Sequence, residues 1–162
     1  MIAFKEWQVV CKALATGRQT VILRKGGIHE GREGFAWKHD KFALFPTRFH
    51  AQEEGVRPED WKQLGAEQSS EWQEGDVVPI QWQCRVIRAI TLDSWSDIQA
   101  LEKEHIWTEA VVRERFEWEM KGIQGESLHA AFIETEEIPG SLSVVYRKSR
   151  HGGCRSWLEL EF

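Results

Sequence analysis

The sequence has few cysteines, and they form no recognisable metal or disulfide pattern. Cys11, Cys84 and Cys154 are widely separated and include no Cys-x-x-Cys pair. We therefore expect neither a zinc site nor a disulfide framework, and no cofactor. Unpaired cysteines are typical of a reducing compartment. The cysteine content thus predicts a cytoplasmic protein.

Long apolar segments are also missing. No run approaches the roughly 18 residues of a membrane-spanning helix, and residues 1–7 lack the basic-then-apolar order of a signal peptide. We expect no membrane association. Of the 162 residues, 41% are hydrophobic and 29% are charged, which is typical of a globular protein. The length predicts one domain that spans residues 1–162.

Several common catalytic motifs are absent. The sequence has no Gly-x-Ser-x-Gly elbow, no His-Glu-x-x-His motif and no P-loop. Glu30, Glu33 and Asp40 with Lys41 are the local carboxylate candidates for a nuclease, and their spacing matches no nuclease motif. The motifs therefore indicate no particular reaction.

The charges are unevenly distributed around a net charge of −5. Residues 1–50 carry nine Lys or Arg against four Asp or Glu, whereas residues 51–162 carry twelve against twenty-two. A basic island without an intervening acid lies within the acidic part, at Arg147, Lys148, Arg150 and Arg155. Such a distribution can attract an anion to one face of a protein that repels it elsewhere.

The hydrophobic pattern predicts a mixture of strands and short helices. Phe4, Trp7, Cys11 and Leu14 have helical spacing, which predicts an N-terminal helix ended by Gly17. Strands are predicted at 20–25, 35–38, 42–45, 75–92, 128–133, 142–146 and 156–162, and further short helices at 57–62, 95–101 and 108–116. We expect the longest strand to bend or bulge. The mixed order of predicted strands and helices along the chain favours an α+β fold with a strongly curved sheet or small barrel and three or four short helices.

Two basic segments carry the predicted anion contacts. The strand ending in Arg24-Lys25 leads into Gly26-Gly27, where bare backbone N–H groups can approach a phosphate. The residues predicted to bind phosphate or nucleic acid are Arg24, Lys25, Gly26, Gly27, Arg48 and Arg150. A solvated basic face without a ligand is the alternative interpretation.

Histidines and tryptophans next to these segments predict a base pocket. His105 and Trp107 precede a helix capped by Thr108, whereas His39 lies between the predicted strands 35–38 and 42–45 and His50 follows the second of them. Aromatic and imidazole rings can hold an unstacked base. The predicted pocket residues are therefore His39, His50, His105 and Trp107. For Trp107, an anchoring role in the core is the competing interpretation. Among the nine tryptophans, Trp37, Trp107 and Trp157 are the candidates for ligand contact.

Five motifs together resemble one bacterial family. They are Lys5-Glu6-Trp7, Leu23-Arg24-Lys25-Gly26-Gly27-Ile28, Phe42-x-Leu44-Phe45-Pro46-Thr47, His105-Ile106-Trp107-Thr108 with Arg115-Phe116, and Gly152-Gly153-Cys154-Arg155-Ser156-Trp157. In this order they look like the domain-of-unknown-function family numbered 1802. The resemblance covers nearly the whole chain and implies one compact bacterial domain. It implies no activity.

A second resemblance concerns architecture. Gly75-Asp76-Val77-Val78, a long strand ending near Ile90 and a short helix after it are similar to the half-barrel of the PUA-like superfamily. Members of that superfamily bind RNA or modified DNA bases. The resemblance implies a PUA-like curved sheet.

We therefore expect a protein that binds nucleic acid or a nucleotide in a local basic and aromatic pocket. No metal-binding residues are predicted. One alternative is an enzyme acting on a phosphodiester or nucleotide, with His39 or His50 as general base and Arg24 or Lys25 stabilising negative charge. Another is a non-catalytic interaction module with exposed tryptophans as anchors. The sequence indicates no oligomeric state.

Overall fold

The computed structural model describes residues 1–25, 37–64, 70–118 and 127–162. Six strands are found in these ranges: β1 (Ile2–Trp7), β2 (Val21–Arg24), β3 (Lys41–Thr47), β4 (Val77–Leu92), β5 (Leu128–Val145) and β6 (Trp157–Glu159). No helix in the described ranges is long and apolar enough to cross a membrane.

The helices of these ranges are all short. The α-helices are α1 (Gln8–Ala15), α2 (Pro58–Leu64), α3 (Trp95–Gln99), α4 (Glu109–Glu117) and α5 (Lys148–His151). Two 3-10 helices are also present: His50–Gly55 lies between β3 and α2, and Glu102–Glu104 lies between α3 and α4. The helix beyond the three or four predicted is α5, which has only four residues and no apolar periodicity.

The strands form one curled mixed sheet in the order β2-β5-β4-β3-β1-β6. β1 and β3 run parallel, and the other neighbouring pairs are antiparallel. The curl brings the edge strand β2 towards β1, since Arg24 Nη2 donates a 2.6 Å hydrogen bond to the Lys5 carbonyl oxygen. The mixed α+β fold with a strongly curved sheet is confirmed.

The predicted N-terminal helix begins later than expected. Phe4 and Trp7 lie in β1, and α1 begins only at Gln8. The spacing of Phe4 and Trp7 fits a helix, but β1 pairs with both β3 and β6. Partners far along the chain therefore override the local pattern.

Long strands account for most of the sheet. The predicted irregularity of β4 is confirmed, because its pairing with β5 shifts between Ile80 and Trp82 and again between Val86 and Arg88. The two strands predicted within 128–146 are one strand, β5. The predicted strand at 35–38 lies partly outside the described residues. Its remaining positions, 37 and 38, are not in a strand.

Two apolar clusters pack on opposite faces of the sheet. Phe4, like the buried residues of α1, belongs to the larger cluster, whereas its neighbour Ala3 belongs to the smaller one. Successive side chains of a strand point to opposite faces, so Lys5 and Glu6 are separated in the same way. Lys5 therefore lies on the same face as Ala3, and Glu6 on the same face as Phe4.

Candidate nucleic-acid interface

Two cavities open where β1, β2 and β3 end. The first lobe, of about 640 Å³, is lined by Lys5, Trp7, Arg24, Phe45, Thr47, Arg48, Phe49, Glu71, Trp72, Tyr146, His151, Gly152, Gly153, Cys154, Arg155 and Ser156. The second lobe, of about 610 Å³, is lined by Trp7, Arg24, Lys25, Ala51, Glu54, Gly55, Val111, Glu114, Arg115, Trp118, Cys154 and Ser156. Trp7, Arg24, Cys154 and Ser156 line both. The two lobes are therefore adjacent, and together they are called the cleft.

A buried ion pair lies beneath the cleft. Glu6 is 1% exposed, and its Oε1 accepts a 2.8 Å hydrogen bond from the Trp7 backbone N–H. Its Oε2 lies 3.4 Å from Arg24 Nη2. The Arg24 guanidinium also lies 4.8 Å from the Phe4 ring centroid. These contacts fix the Arg24 side chain at the point where the lobes meet.

Lys25 lines the second lobe, but its ammonium group is held by the protein. It is 6% exposed, and Nζ donates a 2.7 Å hydrogen bond to the Phe116 carbonyl oxygen. Lysine at a helix C-terminus satisfies a carbonyl that has no partner within the helix. In this structure Lys25 therefore ties the end of β2 to the end of α4.

Arg48 and Trp72 form a stacked pair in the first lobe. The Arg48 guanidinium carbon lies 3.4 Å from the Trp72 ring centroid, and Nε donates a 2.6 Å hydrogen bond to Gln8 Oε1. The Trp72 indole N–H donates to the Pro46 carbonyl oxygen at 2.7 Å. Both side chains are thus oriented before any ligand arrives. Planar groups held in this way are suited to stacking with a base.

The loop after α5 forms the opposite wall of the first lobe. A side chain at Gly152 would approach the Lys148 carbonyl oxygen to 2.5 Å, so this close turn requires glycine. Lys5 Nζ donates a 2.7 Å hydrogen bond to the Gly153 carbonyl oxygen. Burial lowers the pKa of Lys5, as do the charges of Arg155 and Arg24, while Cys154 acts in the opposite direction.

Trp7 stands between the two lobes. Its ring packs edge-on against Phe49, with 5.0 Å between the ring centroids. A side chain at Gly55 would approach ring atoms of Trp7 to 2.7 and 2.8 Å. The 3-10 helix His50–Gly55 therefore needs glycine at its end to accommodate the indole. Trp7 is held by its neighbours in a position that both lobes share.

The structure brings together some of the residues predicted to bind phosphate. Arg24, Lys25 and Arg48 line the cleft. Arg150 does not, because its guanidinium pairs with Glu161 at 2.6 Å on the exposed surface. Gly26 and Gly27 lie outside the described residues.

The four predicted base-pocket residues are not brought together. His39 packs against Trp157 with 5.0 Å between ring centroids, and His50 is exposed at the start of a 3-10 helix. Neither lines the cleft. His105 and Trp107 are 3% and 0% exposed and line a separate cavity of about 40 Å³.

Trp107 belongs to the larger apolar cluster, as the competing interpretation predicted. The backbone explains its burial, because residue 107 forms an isolated bridge with Val56, and the Thr108 N–H donates to the Gly55 carbonyl oxygen. Trp37 and Trp157 pack with Phe4 in an aromatic group beside the same cluster. The tryptophans that line the two lobes are instead Trp7, Trp72 and Trp118.

The sequence interpretation did not select several cleft residues as site residues: Lys5, Trp7, Trp72, Arg115, Tyr146, His151 and Arg155, of which Arg155 was noted only as part of the basic island. Lys5 and Trp7 belong to the first of the five motifs, and Arg115 and Arg155 to later ones. Their membership of the five family motifs was the signal in the sequence that could have identified them as site residues. No group of three or more His, Cys, Asp or Glu within the described ranges is placed to hold a metal ion.

A family model described as a domain of unknown function, DUF1802, matches residues 3–162. The chain belongs to this family. Crystal structures of ASCH from Zymomonas mobilis are similar in fold, with 12% identity and a TM-score of 0.52 over 99% of this chain and 87% of that one. Two single-residue mutants of the same ASCH protein give a TM-score of 0.54 at 12% and 13% identity, covering 99% of this chain and 87% and 89% of theirs.

No curated protein matches the sequence. The similarity to the ASCH structures shows that this DUF1802 chain has the PUA-like fold of ASCH domain proteins, as the architectural resemblance predicted. At this level of identity the similarity concerns the fold alone.

Proposed function

We propose that the cleft of this DUF1802 protein binds a single-stranded nucleic acid or a nucleotide. The supporting observation is that the two adjacent lobes share Trp7 and Arg24 and together combine cations with oriented aromatic rings. Backbone-tracking cations with rings for base stacking are the usual components of a single-strand site. A cytoplasmic location is part of this proposal, and it fits the three free cysteines.

The charge distribution favours a local site over a broad face for duplex DNA. The chain carries a net charge of −5, whereas duplex binding usually needs an extended basic surface. The cations of the cleft are Lys5, Arg24, Lys25, Arg48, Arg115 and Arg155, and its carboxylates are Glu54, Glu71 and Glu114. The cleft is thus more positive than the protein as a whole, and it would concentrate an anionic ligand.

Different residues have different roles in this proposal. Arg48 lies flat on Trp72 and offers a planar platform for a base. Arg155 is exposed on the opposite wall and is available to a phosphate. Arg24 lies where both lobes meet and contributes positive charge to each. A strand of a few nucleotides entering the first lobe would meet all three.

The proposal is tested by the affinity of labelled single-stranded RNA and DNA octamers, measured by fluorescence anisotropy over a salt series. We expect Arg48→Gln to weaken binding roughly tenfold, because it removes a stacking surface and a charge. The slope of log affinity against log salt should also fall by about 0.7.

Arg85→Gln is the matched control. Arg85 is exposed on β4, forms an ion pair with Glu134, and does not line the cleft. This variant should bind as the wild type does. The proposal would be rejected by the absence of binding to single strands and nucleotides at low salt, or by equal affinities of the Arg48→Gln variant and the wild type.

A further inference from the structure

Arg115 is a cation of the second lobe that has no hydrogen-bond acceptor among the described residues. Its guanidinium carbon lies 5.2 Å from the Trp7 ring centroid and 4.6 Å from that of Trp107. Within the part of the chain that the structure describes, the guanidinium forms no hydrogen bond and no ion pair, and Nη1 is buried. Arginine usually donates several hydrogen bonds when it is buried.

No carboxylate of the described residues forms an ion pair with Arg115. Burial lowers the pKa of Arg115 to about 10, and the nearby Arg24 charge acts in the same direction. Glu6 and Glu114 act in the opposite direction, but the Glu6 carboxylate already accepts the Trp7 N–H and pairs with Arg24, and Glu114 is exposed. A partly buried, unpaired cation carries a desolvation cost that an anionic ligand would offset.

The shape of the lobe indicates where such a ligand would lie. Arg115 and Arg24 both line it; Arg48 lines only the first lobe, Arg115 only the second, and Trp7 lines both. Glu54 and Glu114 also line the lobe, but both are exposed. A planar guanidinium favours the paired oxygens of a phosphate.

We propose that Arg115 and Arg24 bind a phosphate group in the second lobe. This inference rests on the proposed function, since the phosphate would belong to a nucleotide chain that passes Trp7. It adds a phosphate subsite at a residue that the sequence interpretation did not select. The phosphate is either the 5′-terminal group of the strand or an internal diester.

The test compares 5′-phosphorylated and 5′-hydroxyl octamers on the wild type and on Arg115→Gln. We expect the variant to lose affinity on the order of 10- to 100-fold, because charge-assisted hydrogen bonds are lost. If the phosphate is terminal, the wild type prefers the phosphorylated octamer and the variant loses that preference. If it is internal, Arg115→Gln weakens the binding of both octamers equally, and the salt slope falls by about 0.7.

Arg113→Gln is the matched control on the same helix. Arg113 is exposed, and its Nε donates to Glu117 Oε1 at 2.7 Å. This variant should keep the wild-type affinity. Glu114→Gln removes a negative charge from the lobe and should strengthen binding a few-fold.

A second substitution keeps the test decisive if Arg115→Gln does not fold. Arg115→Lys retains the charge but loses the planar fork, so affinity should fall to an intermediate value. Wild-type affinity in whichever of the two Arg115 variants folds would overturn the phosphate subsite. If Arg48→Gln still weakened binding in that case, the proposed function would survive. If Arg48→Gln also had no effect, both proposals would fail.

Discussion

Asp60→Asn should lower the free energy of unfolding by about 3–5 kcal/mol, the largest loss of stability that we expect from a single substitution. Asp60 is 2% exposed and accepts from Arg18 through both carboxylate oxygens, at 2.6 and 3.0 Å. Arg57 Nε donates to the same carboxylate at 3.1 Å. Removing the negative charge leaves two partly buried guanidinium groups without their counterion.

Asp60 lies where several segments of the chain meet, so its replacement should destabilise the whole fold and not α2 alone. Arg18 also donates to the Lys103 carbonyl oxygen at 3.2 Å, and Arg57 donates to those of Glu102 and His105. One carboxylate therefore helps to connect the end of α1, the start of α2 and the segment before Trp107.

Urea unfolding at pH 7 measures this effect, and Glu74→Gln is its control. Glu74 pairs with Arg147 at 3.1 Å, but both side chains are more than half exposed. Exposed pairs contribute roughly 0–1 kcal/mol, so this control should differ little from the wild type. Equal, small losses in the two variants would contradict the role given to Asp60.

Acidification should destabilise the protein through His105, with a total effect of about 3 kcal/mol between pH 6.5 and pH 4. Burial lowers the pKa of His105 from 6.5 to about 4, and the charges of Arg57, Arg115 and Arg18 add to this, whereas Asp60 opposes it. The unfolded chain therefore binds a proton at a higher pH than the folded protein does. The stability from neutral His105 is complete above the unfolded pKa of 6.5 and is lost as the pH falls towards 4.

The measurement is the slope of the free energy of unfolding between pH 7 and pH 5.5, where few carboxylates titrate. His105→Gln should flatten this slope, because the substituted side chain does not titrate. His50→Gln replaces an exposed histidine and should keep the wild-type slope. An unchanged slope in the His105→Gln variant would show that another group causes the acid sensitivity.

Local sequence patterns correctly predicted elements that are determined by contacts within a few residues. Thr108 caps α4 as predicted, with its side chain accepting from the Val111 N–H at 3.4 Å. The pattern failed at Phe4 and Trp7, where helical spacing coincides with a strand. The pairing of β1 with β3 joins residues about 40 positions apart, and no local window contains that information.

Two of the cleft cations were selected from the sequence. Arg24 was selected at the end of a predicted strand, Arg48 was selected as a phosphate contact, and the structure has both in the lining of the cleft. Arg115 was not selected, because its importance depends on Trp7 and Trp107, which reach it from separate parts of the chain. The burial of Trp107 likewise depends on the distant Gly55 and Val56.

The central claim is that a single strand occupies the cleft, and alkylation of Cys154 tests it most directly. Cys154 is exposed and lines both lobes, whereas Cys11 and Cys84 are buried. Burial raises the pKa of both buried thiols, that of Cys84 to about 12, so they should not react. A saturating single-stranded octamer should slow the alkylation of Cys154 by iodoacetamide several-fold. An unchanged rate under conditions where anisotropy shows bound octamer would place the strand elsewhere and contradict the account.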